Sequence, residues 1–417
     1  MKNGANSLGL KSFKQNSILK IGIVYPDDLK WAFHGLSIRV LSYLITKQGN
    51  SIVDLFFMNI NGSENIYRYS LYFKKSPLEF DLLLFTIPDE CLYLNILKFL
   101  EYNEIPFFSI QRGSNYPIIG CGGSAIINPL PIAPFFDFLV IGEAESVISF
   151  IINEVIDNRQ SKQKLYERLQ NVEGIYVPQI QNSVKRAVEG NISLPFPYIN
   201  SGIRSIDKIL RVEITRGCKW KCRFCQIPNT RKPYREITLE TIKDYISFLI
   251  KDNSNHFKKC ALISFSPLCY SNIKELLEFL HTKNLIPIVH PMRIDRFDDD
   301  IISLLNGIIR VGIESSESQR RFLGKSIDDN TIYRNIEKIN NNPKIKALFL
   351  NFMIGTPRET WKDIEEIVNL CNKIARKCKK IKILRIMISI FMPECFVPFE
   401  EETMEDINLI RQKFNYT

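Results

Sequence analysis

Short segments that are apolar throughout alternate, along most of this chain, with segments whose apolar residues recur at helical spacing. The apolar segments 18–26, 80–88 and 106–110 lie among helical patterns such as 33–49. A strand that is apolar on both faces is buried on both faces, which is typical of a parallel sheet with helices on either side. The alternation therefore predicts an α/β fold.

The first block of this alternation covers residues 18–157 and predicts a doubly wound, Rossmann-like parallel sheet. Residues 1–17 before it have no long apolar core, so we expect a disordered lead-in and not a secretory signal. The mixed composition of residues 158–208 predicts a linker in which "GIYVP" forms a small hairpin.

The second block, residues 209–400, contains six strand–helix units. Six is fewer than the eight units of a closed (β/α)8 barrel. We therefore predict a partial (β/α)6 TIM-like barrel that is open on one side, followed by a C-terminal helix over 401–417. Ligands in such folds bind at the carboxyl ends of the strands.

The motif "RGCKWKCRFCQ" follows the first predicted strand of the second block and contains Cys218, Cys222 and Cys225. Three thiolates can each bind one iron of a cubane cluster, and this spacing leaves the fourth iron without a cysteine. Zinc is the alternative, but it takes four ligands, and structural zinc motifs usually have two cysteine pairs. Cys260 and Cys269 are separated by eight residues and form no such pair. The motif therefore predicts an iron–sulfur site.

Positive charge is concentrated at this motif and is in excess over the whole chain. We expect Lys219, Lys221 and Arg223 to offset the negative charge of a thiolate-ligated cluster and to favour the thiolate form of the cysteines. The net charge of +10 suits an acidic partner such as RNA. However, the chain has no dense basic run with interleaved aromatic residues, so a nucleic-acid partner is not favoured.

The cysteine content and hydropathy indicate where the chain works. Ten cysteines in a chain without a secretory signal are typical of a reducing, cytoplasmic setting, where clustered thiols are more often metal ligands than disulfides. No run of 18 apolar residues exists, so we predict no transmembrane helix and no membrane partner.

The cysteine motif, placed after the first strand of a partial barrel, resembles that of the radical S-adenosylmethionine (SAM) enzymes. Phe224 matches the aromatic residue that often precedes the last cysteine in this family. The resemblance implies that Cys218, Cys222 and Cys225 hold a [4Fe-4S] cluster whose fourth iron is chelated by SAM. It also implies reductive cleavage of SAM to a 5′-deoxyadenosyl radical, with the electron coming from a flavodoxin- or ferredoxin-type partner.

Other SAM contacts are implied by the same resemblance. Ser266, in "SFSPL", lies where the family often has a Gly-Gly-Glu-Pro-like turn, although this chain has no glutamate there. Glu314 and Ser315, in "RVGIESSE", correspond to polar residues that reach the ribose or carboxylate, with a surface carboxylate as the alternative for Glu314. Gly355, in "FMIGTPRET", corresponds to a turn near the adenine, whereas Glu359 is expected to be an ordinary charge in the first turn of the next helix.

Arg293 and Asp295 follow the third predicted strand, at the end where ligands bind. They are expected either to contact SAM or substrate, or to pair with each other. Cys395, after the last strand, faces the predicted cavity mouth.

The segment "PIIGCGGSAIINPLPIAPFFDFLVIGEAESVI" resembles the cobalamin-binding-like domains that precede some radical SAM domains. The resemblance implies that cobalamin approaches a set of residues at the end of the sheet. That set is Gly122, Gly123, Asn128, Gly142 and Glu143. The Asp-x-His-x-x-Gly motif of one type of cobalamin domain is missing, and His34 has the wrong spacing, so His34 is read as a helix-start or surface residue.

Together these resemblances imply cobalamin-dependent C-methylation of an unactivated carbon, with SAM as both radical source and methyl donor. The open side of the predicted barrel suits a large substrate, such as a protein or peptide. Two alternatives stay open. One is a cobalamin-independent radical modification of tRNA or protein, and the other is a non-catalytic Fe–S or SAM-binding partner protein.

Overall fold

The computed structural model describes residues 19–58, 68–180, 183–195, 198–199, 201–252 and 257–417. The predicted lead-in over 1–17 lies outside the described residues. The chain forms two compact units, Met1–Asp207 and Lys208–Thr417, called here the first and second units. None of the described helices is both long enough and apolar enough to span a membrane.

The first unit contains one six-stranded sheet in the order β2-β1-β3-β4-β5-β6. Neighbouring strands from β2 to β5 are parallel, and β6 is antiparallel to β5. The strands are β1 (Leu19–Tyr25), β2 (Ser51–Phe57), β3 (Leu82–Thr86), β4 (Ile118–Gly122), β5 (Phe138–Val140) and β6 (Ile175–Tyr176). This is the predicted doubly wound sheet, and its order changes direction between β1 and β3.

Helices cover both faces of this sheet because apolar side chains of the strands point to both sides. All seven residues of β2 are buried, as are all five of β3, and two separate apolar cores form. The helices are α1 (Leu29–Ala32), α2 (Ser37–Thr46), α3 (Tyr93–Tyr102), α4 (Ile148–Asn158), α5 (Lys162–Leu169) and α6 (Arg204–Asp207).

The segment predicted as a linker belongs in large part to the first unit. Leu165 and Leu169 of α5 are fully buried in one of its cores, since they recur at helical spacing. The "GIYVP" segment forms no hairpin with the described residues after it. Instead, Ile175 and Tyr176 pair with Val140 and Leu139 and extend the sheet beyond β5.

The second unit contains six parallel strands in two three-stranded sheets, β7-β10-β11 and β12-β13-β14. A parallel bridge between Met292, after β11, and Val311, in β12, connects the two sheets. This is the predicted partial barrel. Its parallel strands are β7 (Ile209–Glu213), β10 (Lys259–Ile263), β11 (Ile286–Ile288), β12 (Gly307–Glu314), β13 (Ile345–Ile354) and β14 (Ile383–Ile390), and a separate antiparallel ribbon consists of β8 (Thr215–Arg216) and β9 (Arg235–Glu236).

Helices connect the parallel strands of the second unit, and a final helix lies near its C-terminus. They are α7 (Ile227–Thr230), α8 (Leu239–Asp252), α9 (Ile273–Thr282), α10 (Asp299–Leu304), α11 (Glu317–Phe322), α12 (Asp329–Asn341), α13 (Trp361–Lys377) and α14 (Ile407–Tyr416). Because the strands are parallel, the loops after them meet at one end of the barrel.

Candidate functional site

The cysteine loop begins at the carboxyl end of β7, as predicted, and is held by the segment that follows α11. The backbone N–H of Arg223 donates to the Leu323 carbonyl at 2.9 Å. The Arg223 guanidinium lies over the rings of Phe322 and Phe399, 4.7 and 4.4 Å from their centroids. Arg223 therefore packs the loop against two aromatic rings, and its predicted effect on the cluster charge stays a prediction.

Trp220, between the first two cysteines of the loop, connects the loop to the ends of two other strands. Its Nε1–H donates to Ser266 Oγ at 3.0 Å, and this hydroxyl also lies 3.2 Å from Cys269 Sγ. On the Trp220 ring, Arg293 stacks at 3.7 Å and Arg296 at 4.7 Å from the centroid. Ser266, predicted as a SAM contact, is thus a buried anchor of the cysteine loop in this structure.

The three thiols are partly buried, and this burial controls their ionisation. It raises the pKa of Cys218 and Cys222, and it raises the pKa of Cys225 to about 11. The charges of Lys325 and Arg293 act in the opposite direction on Cys222. The protonated thiol is favoured until a metal displaces the proton.

The loop cations Lys219 and Lys221 are exposed, and their predicted effect on these thiols stays a prediction. Lys219 Nζ pairs with Glu236 Oε1 at 3.1 Å and lies 4.5 Å from the centroid of the Tyr234 ring, and Lys221 is exposed. The cations that lower the pKa of the thiols, Arg293 and Lys325, come from distant parts of the sequence. The sequence did not identify these two cations, because they lie far from the cysteines along the chain and only the fold of the barrel brings the side chains together.

The arrangement of the three thiols distinguishes a site for a single metal ion from a site for a cubane cluster. Among the described residues, no three His, Cys, Asp or Glu side chains are grouped so that they could hold one metal ion. The thiols nevertheless interact, because the charges of Cys218 and Cys222 raise the pKa of Cys225 beyond the effect of burial. A cubane does not require convergence on one ion, since each thiolate binds a different iron.

Two predicted SAM residues lie together at the end of β12. Glu314 has a φ of 78° and pairs with Lys325, its Oε1 lying 2.7 Å from Nζ, so it is no longer a plain surface carboxylate. Ser315 is fully buried, and its Oγ has no hydrogen-bond partner among the described residues. Its carbonyl accepts from Arg320 Nη1. A buried hydroxyl without a partner fits a ligand that supplies one.

The turn after β13 is packed against the C-terminal segment. The atoms nearest to a Cβ placed on Gly355 would be Glu405 Oε2 and Ile410 Cγ1, each at 3.5 Å. The backbone N–H of Gly355 donates to Glu359 Oε2 at 2.8 Å. The space beside Gly355 therefore contains side chains of this chain, and its predicted contact with adenine stays a prediction.

Glu359 was expected to be an ordinary charge in the first turn of the next helix, and this was wrong. Helix α13 begins two residues later with Thr360 as its N-cap, and the Glu359 side chain is fully buried. Its Oε2 lies 2.9 Å from Lys413 Nζ, which also pairs with Glu405 at 2.6 Å. A carboxylate buried this deeply needs a cation, and α14 supplies it.

Replacing Lys413 by methionine is expected to lower the free energy of unfolding of the second unit by about 3–5 kcal/mol, because two carboxylates lose their buried cation. Burial raises the pKa of Glu359, and this effect is larger than the lowering by the ion pair with Lys413. A raised pKa in the folded state favours folding below the unfolded pKa and loses that effect as pH rises through the folded pKa. In the variant the buried carboxylate has lost its cation and can take up a proton at pH 5 more readily than at pH 8, so urea unfolding should show a larger loss of stability at pH 8 than at pH 5. The exposed neighbour Arg411, changed to methionine, serves as the control.

The predicted glycines of the first unit are required by its own backbone. Gly123 has a φ of 130°, and a Cβ there would lie 2.2 Å from the Ile87 carbonyl oxygen. Gly142 has a φ of 125°, and a Cβ would lie 2.2 Å from the Ala187 carbonyl oxygen. Gly122 has only ordinary contacts, with Val140 at 3.5 Å. Internal packing accounts for the first two, and their contact with cobalamin stays a prediction.

Glu143 and Asn128, the polar members of that set, have partners within the first unit. Glu143 is buried and pairs with Arg186 Nη2 at 2.8 Å, and it accepts from the Glu189 N–H at 3.1 Å. Asn128 Oδ1 accepts weakly from the Leu130 N–H at 3.3 Å. Their predicted role in binding cobalamin remains a prediction.

Three large apolar side chains are exposed on segments that follow strands of the first sheet. Trp31 follows β1, Leu94 follows β3 and Leu130 follows β4, with exposed fractions of 52%, 70% and 66%. These segments are joined by hydrogen bonds from Asn95 Nδ2 to the Pro26 carbonyl and from Tyr93 Oη to the Ala125 carbonyl. Exposed apolar surface at the carboxyl end of the strands, next to the point where the strand order reverses, is where doubly wound sheets bind ligands.

Comparison with known families matches both units. The model described as radical SAM proteins, N-terminal, matches residues 38–178, and that of the radical SAM superfamily matches residues 212–371.

Three sequence relatives differ in how much of the chain they match. The uncharacterized protein MJ0966 of Methanocaldococcus jannaschii is 27% identical over 93% of this chain and 80% of its own length. The ribosomal protein uS12 methylthiotransferase RimO of Leptospira biflexa is 22% identical over 39% of each chain. The bacteriochlorophyllide d C-8(2)-methyltransferase of Chlorobaculum tepidum is 26% identical over 37% of this chain and 32% of its own length.

Two solved structures resemble nearly the whole chain. The radical SAM methyltransferase TsrM from Kitasatospora setae, with cobalamin and a [4Fe-4S] cluster bound, has a TM-score of 0.65 at 12% identity, and covers 92% of this chain and 74% of its own. The cobalamin-dependent enzyme OxsB, with aqua-cobalamin and SAM bound, has a TM-score of 0.64 at 15% identity, and covers 95% of this chain and 62% of its own. At these identities the likeness shows the fold.

Proposed function

The chain belongs to the radical SAM superfamily, and we propose that it cleaves SAM reductively at a [4Fe-4S] cluster held by Cys218, Cys222 and Cys225. The observation that carries this proposal is a three-cysteine loop at the carboxyl end of β7 together with Ser315 at the corresponding end of β12, where its buried hydroxyl has no hydrogen-bond partner within the described part of the chain. A bound cluster would supply the electron for the reductive cleavage of SAM to methionine and a 5′-deoxyadenosyl radical.

In this proposal, the residues around the loop bind SAM and hold the loop in position. Ser315 Oγ and the Glu314 carboxylate are proposed to hydrogen-bond SAM, with Lys325 fixing the orientation of Glu314 through their ion pair. Ser266 acts through Trp220, because its hydroxyl holds the indole and hence the loop. Gly355 is proposed to keep the turn after β13 compact enough for adenine to approach.

Cobalamin is the second proposed cofactor, bound by the first unit for C-methylation of an unactivated carbon. The strand order, which reverses between β1 and β3, and the exposed apolar side chains Trp31, Leu94 and Leu130 support this, since a corrin ring presents a broad face to its site. Gly122, Gly123, Asn128, Gly142 and Glu143 would line the same edge. The cobalamin bound in TsrM and OxsB gives further support from two proteins of the same fold.

A protein or peptide is the proposed substrate class. Strand β14 is the last in its sheet, and Ile383, Met387 and Ile390 on it are between 41% and 51% exposed. An extended polypeptide can add a strand to such an edge, with its side chains packing on the exposed apolar ones. The proposed electron donor is a flavodoxin or ferredoxin. The alternative, a cobalamin-independent modification of tRNA or protein, is supported by the partial likeness to the methylthiotransferase RimO.

An absorption spectrum of the anaerobically purified chain, followed by incubation with dithionite and SAM, tests the proposal. Cluster absorption together with corrinoid bands and the formation of 5′-deoxyadenosine is the expected result. A cluster without a corrinoid, from cells supplied with cobalamin, would favour the cobalamin-independent alternative. A cluster-loaded chain that forms no 5′-deoxyadenosine would contradict both enzyme proposals and favour a non-catalytic partner protein.

A further inference from the structure

Arg293 has a buried guanidinium nitrogen, Nη1, that no described residue accepts a hydrogen bond from. The residue follows β11 and is 8% exposed. Its Nε and Nη2 donate to the two oxygens of Asp295 at 3.0 and 3.1 Å, so that the residues pair as one of the sequence alternatives predicted. Nη1 is buried and has no hydrogen-bond partner among the described residues. An unsatisfied donor on a buried cation is costly, and native structures seldom contain one without a reason.

The position of Arg293 is fixed by two contacts on different sides of its guanidinium plane. Asp295 holds one edge of the plane in a bidentate pair, and the plane itself stacks on Trp220 at 3.7 Å. A guanidinium is planar and rigid, so these two contacts also determine where Nη1 points. Trp220 lies in the sequence between Cys218 and Cys222, which brings the cation to the part of the loop that contains these two thiols.

The electrostatics agree with this placement. The charge of Arg293 acts on both Cys218 and Cys222, so the cation lies within electrostatic reach of these two thiols. The other charged groups that act on Cys222 are Lys325, with the same sign, and Glu314, with the opposite sign. Lys325 and Glu314 form an ion pair, and so do Arg293 and Asp295, but the second pair leaves the buried Nη1 of Arg293 without a partner among the described residues.

We propose that the free N–H of Arg293 donates to the anionic cluster–thiolate group held by Cys218 and Cys222 and thereby raises the one-electron reduction potential of the cluster. This rests on the proposed function. Reduction adds one electron, taken from dithionite in the test below, and makes the group more negative, so a nearby cation stabilises the reduced form more than the oxidised form. Hydrogen bonds to the sulfurs of a cluster and the charge around it are established determinants of its potential. Arg293 is a positioning and tuning residue in this scheme.

The test is an EPR-monitored redox titration of the full chain, reconstituted with iron and sulfide and free of SAM. Arg293→Gln is expected to reduce the equilibrium constant for reduction at least tenfold, which corresponds to about 59 mV toward more negative potential for one electron. Arg296→Gln is the matched control, because Arg296 lies over the same indole at 4.7 Å but is exposed. In the Arg296→Gln variant, the equilibrium constant for reduction of the cluster is expected to differ less than twofold from that of the native protein.

Each outcome of this titration supports or overturns the proposal. Equal potentials for Arg293→Gln and Arg296→Gln overturn it. An unchanged potential with weaker binding of SAM also overturns it, because the N–H then serves the SAM carboxylate. If Arg293→Gln does not assemble a cluster, Arg293→Lys replaces it. Lysine keeps the charge but lacks the planar guanidinium, so the reduction potential of the cluster in Arg293→Lys should be lower than in the native protein. A potential equal to the native one contradicts the proposal. A native chain that assembles no cluster refutes the proposed function instead.

Discussion

Replacing Cys222 by alanine is expected to abolish both the cluster and the formation of 5′-deoxyadenosine from SAM. Each of the three cysteines binds its own iron in the proposed site, so the loss of one thiolate leaves a second iron without a cysteine ligand. Iron and sulfide analysis of the reconstituted chain should fall from about four of each per native chain to background in the variant. The yield of 5′-deoxyadenosine after addition of dithionite should fall to that of a sample without protein.

Cys269→Ala is the matched control for this experiment. Cys269 is also a partly exposed cysteine of the second unit, and its Sγ lies 3.2 Å from Ser266 Oγ, which anchors the cysteine loop through Trp220. The control is expected to keep a full cluster. Full cluster content in the Cys222 variant, or its loss in the Cys269 variant, would show that the ligand set differs from the one proposed.

The second large effect is expected at Asp137, where alanine should lower the free energy of unfolding of the first unit by about 3–5 kcal/mol. The Asp137 side chain is fully buried and pairs with Arg112 at 3.2 Å and with Lys162 at 2.8 Å. It also accepts from Tyr166 Oη at 2.5 Å and from the Ile119 N–H at 2.8 Å. Removing it leaves a fully buried arginine and a largely buried lysine without an anion, next to the strands β4 and β5.

Hydrogen exchange followed by mass spectrometry can locate this effect. Faster exchange is expected in peptides from β4, β5 and α5, with little change in the second unit. Asp137→Asn keeps the shape and one acceptor oxygen and should lose less stability than the alanine variant. The exposed residue Asp157, changed to alanine, is the control. Unchanged exchange in the first unit of Asp137→Ala would mean that the buried network does not stabilise it.

The pattern of apolar residues was sufficient to predict the parallel sheets of both units, but not which of the short segments are strands. Long apolar strands such as β2 and β13 are buried wherever they lie, so their own composition reveals them. The two residues of β6 are a strand only because β5 is beside them. The segment 106–110 has the composition of a strand, yet Ile110 is 87% exposed and lies in the short 3-10 helix Ser109–Gln111.

The candidate site was predictable where its chemistry lies in consecutive residues. The spacing of the three cysteines is local, so the sequence alone predicts the cluster. The side chains that hold the loop come from far along the chain, as with the bond from Arg223 to Phe322, 99 residues away. The cation that pairs with Glu359 comes from 54 residues away. Such contacts depend on how the strands of the partial barrel are arranged and have no signature in a local motif.

The open edge at β14 also determines how the protein behaves in concentrated solution. Two copies that align these edges would form one continuous sheet, with the apolar side chains Ile383 and Met387 packed across the junction. Exposed Lys379, Lys380 and Lys382 precede the strand and repel their counterparts in a second copy. Salt screens this repulsion. The Debye length, over which the repulsion persists, is about 10 Å at 0.1 M ionic strength but only about 3 Å at 1 M. We therefore expect these lysines to oppose association through this edge at low ionic strength and to oppose it less as salt is added.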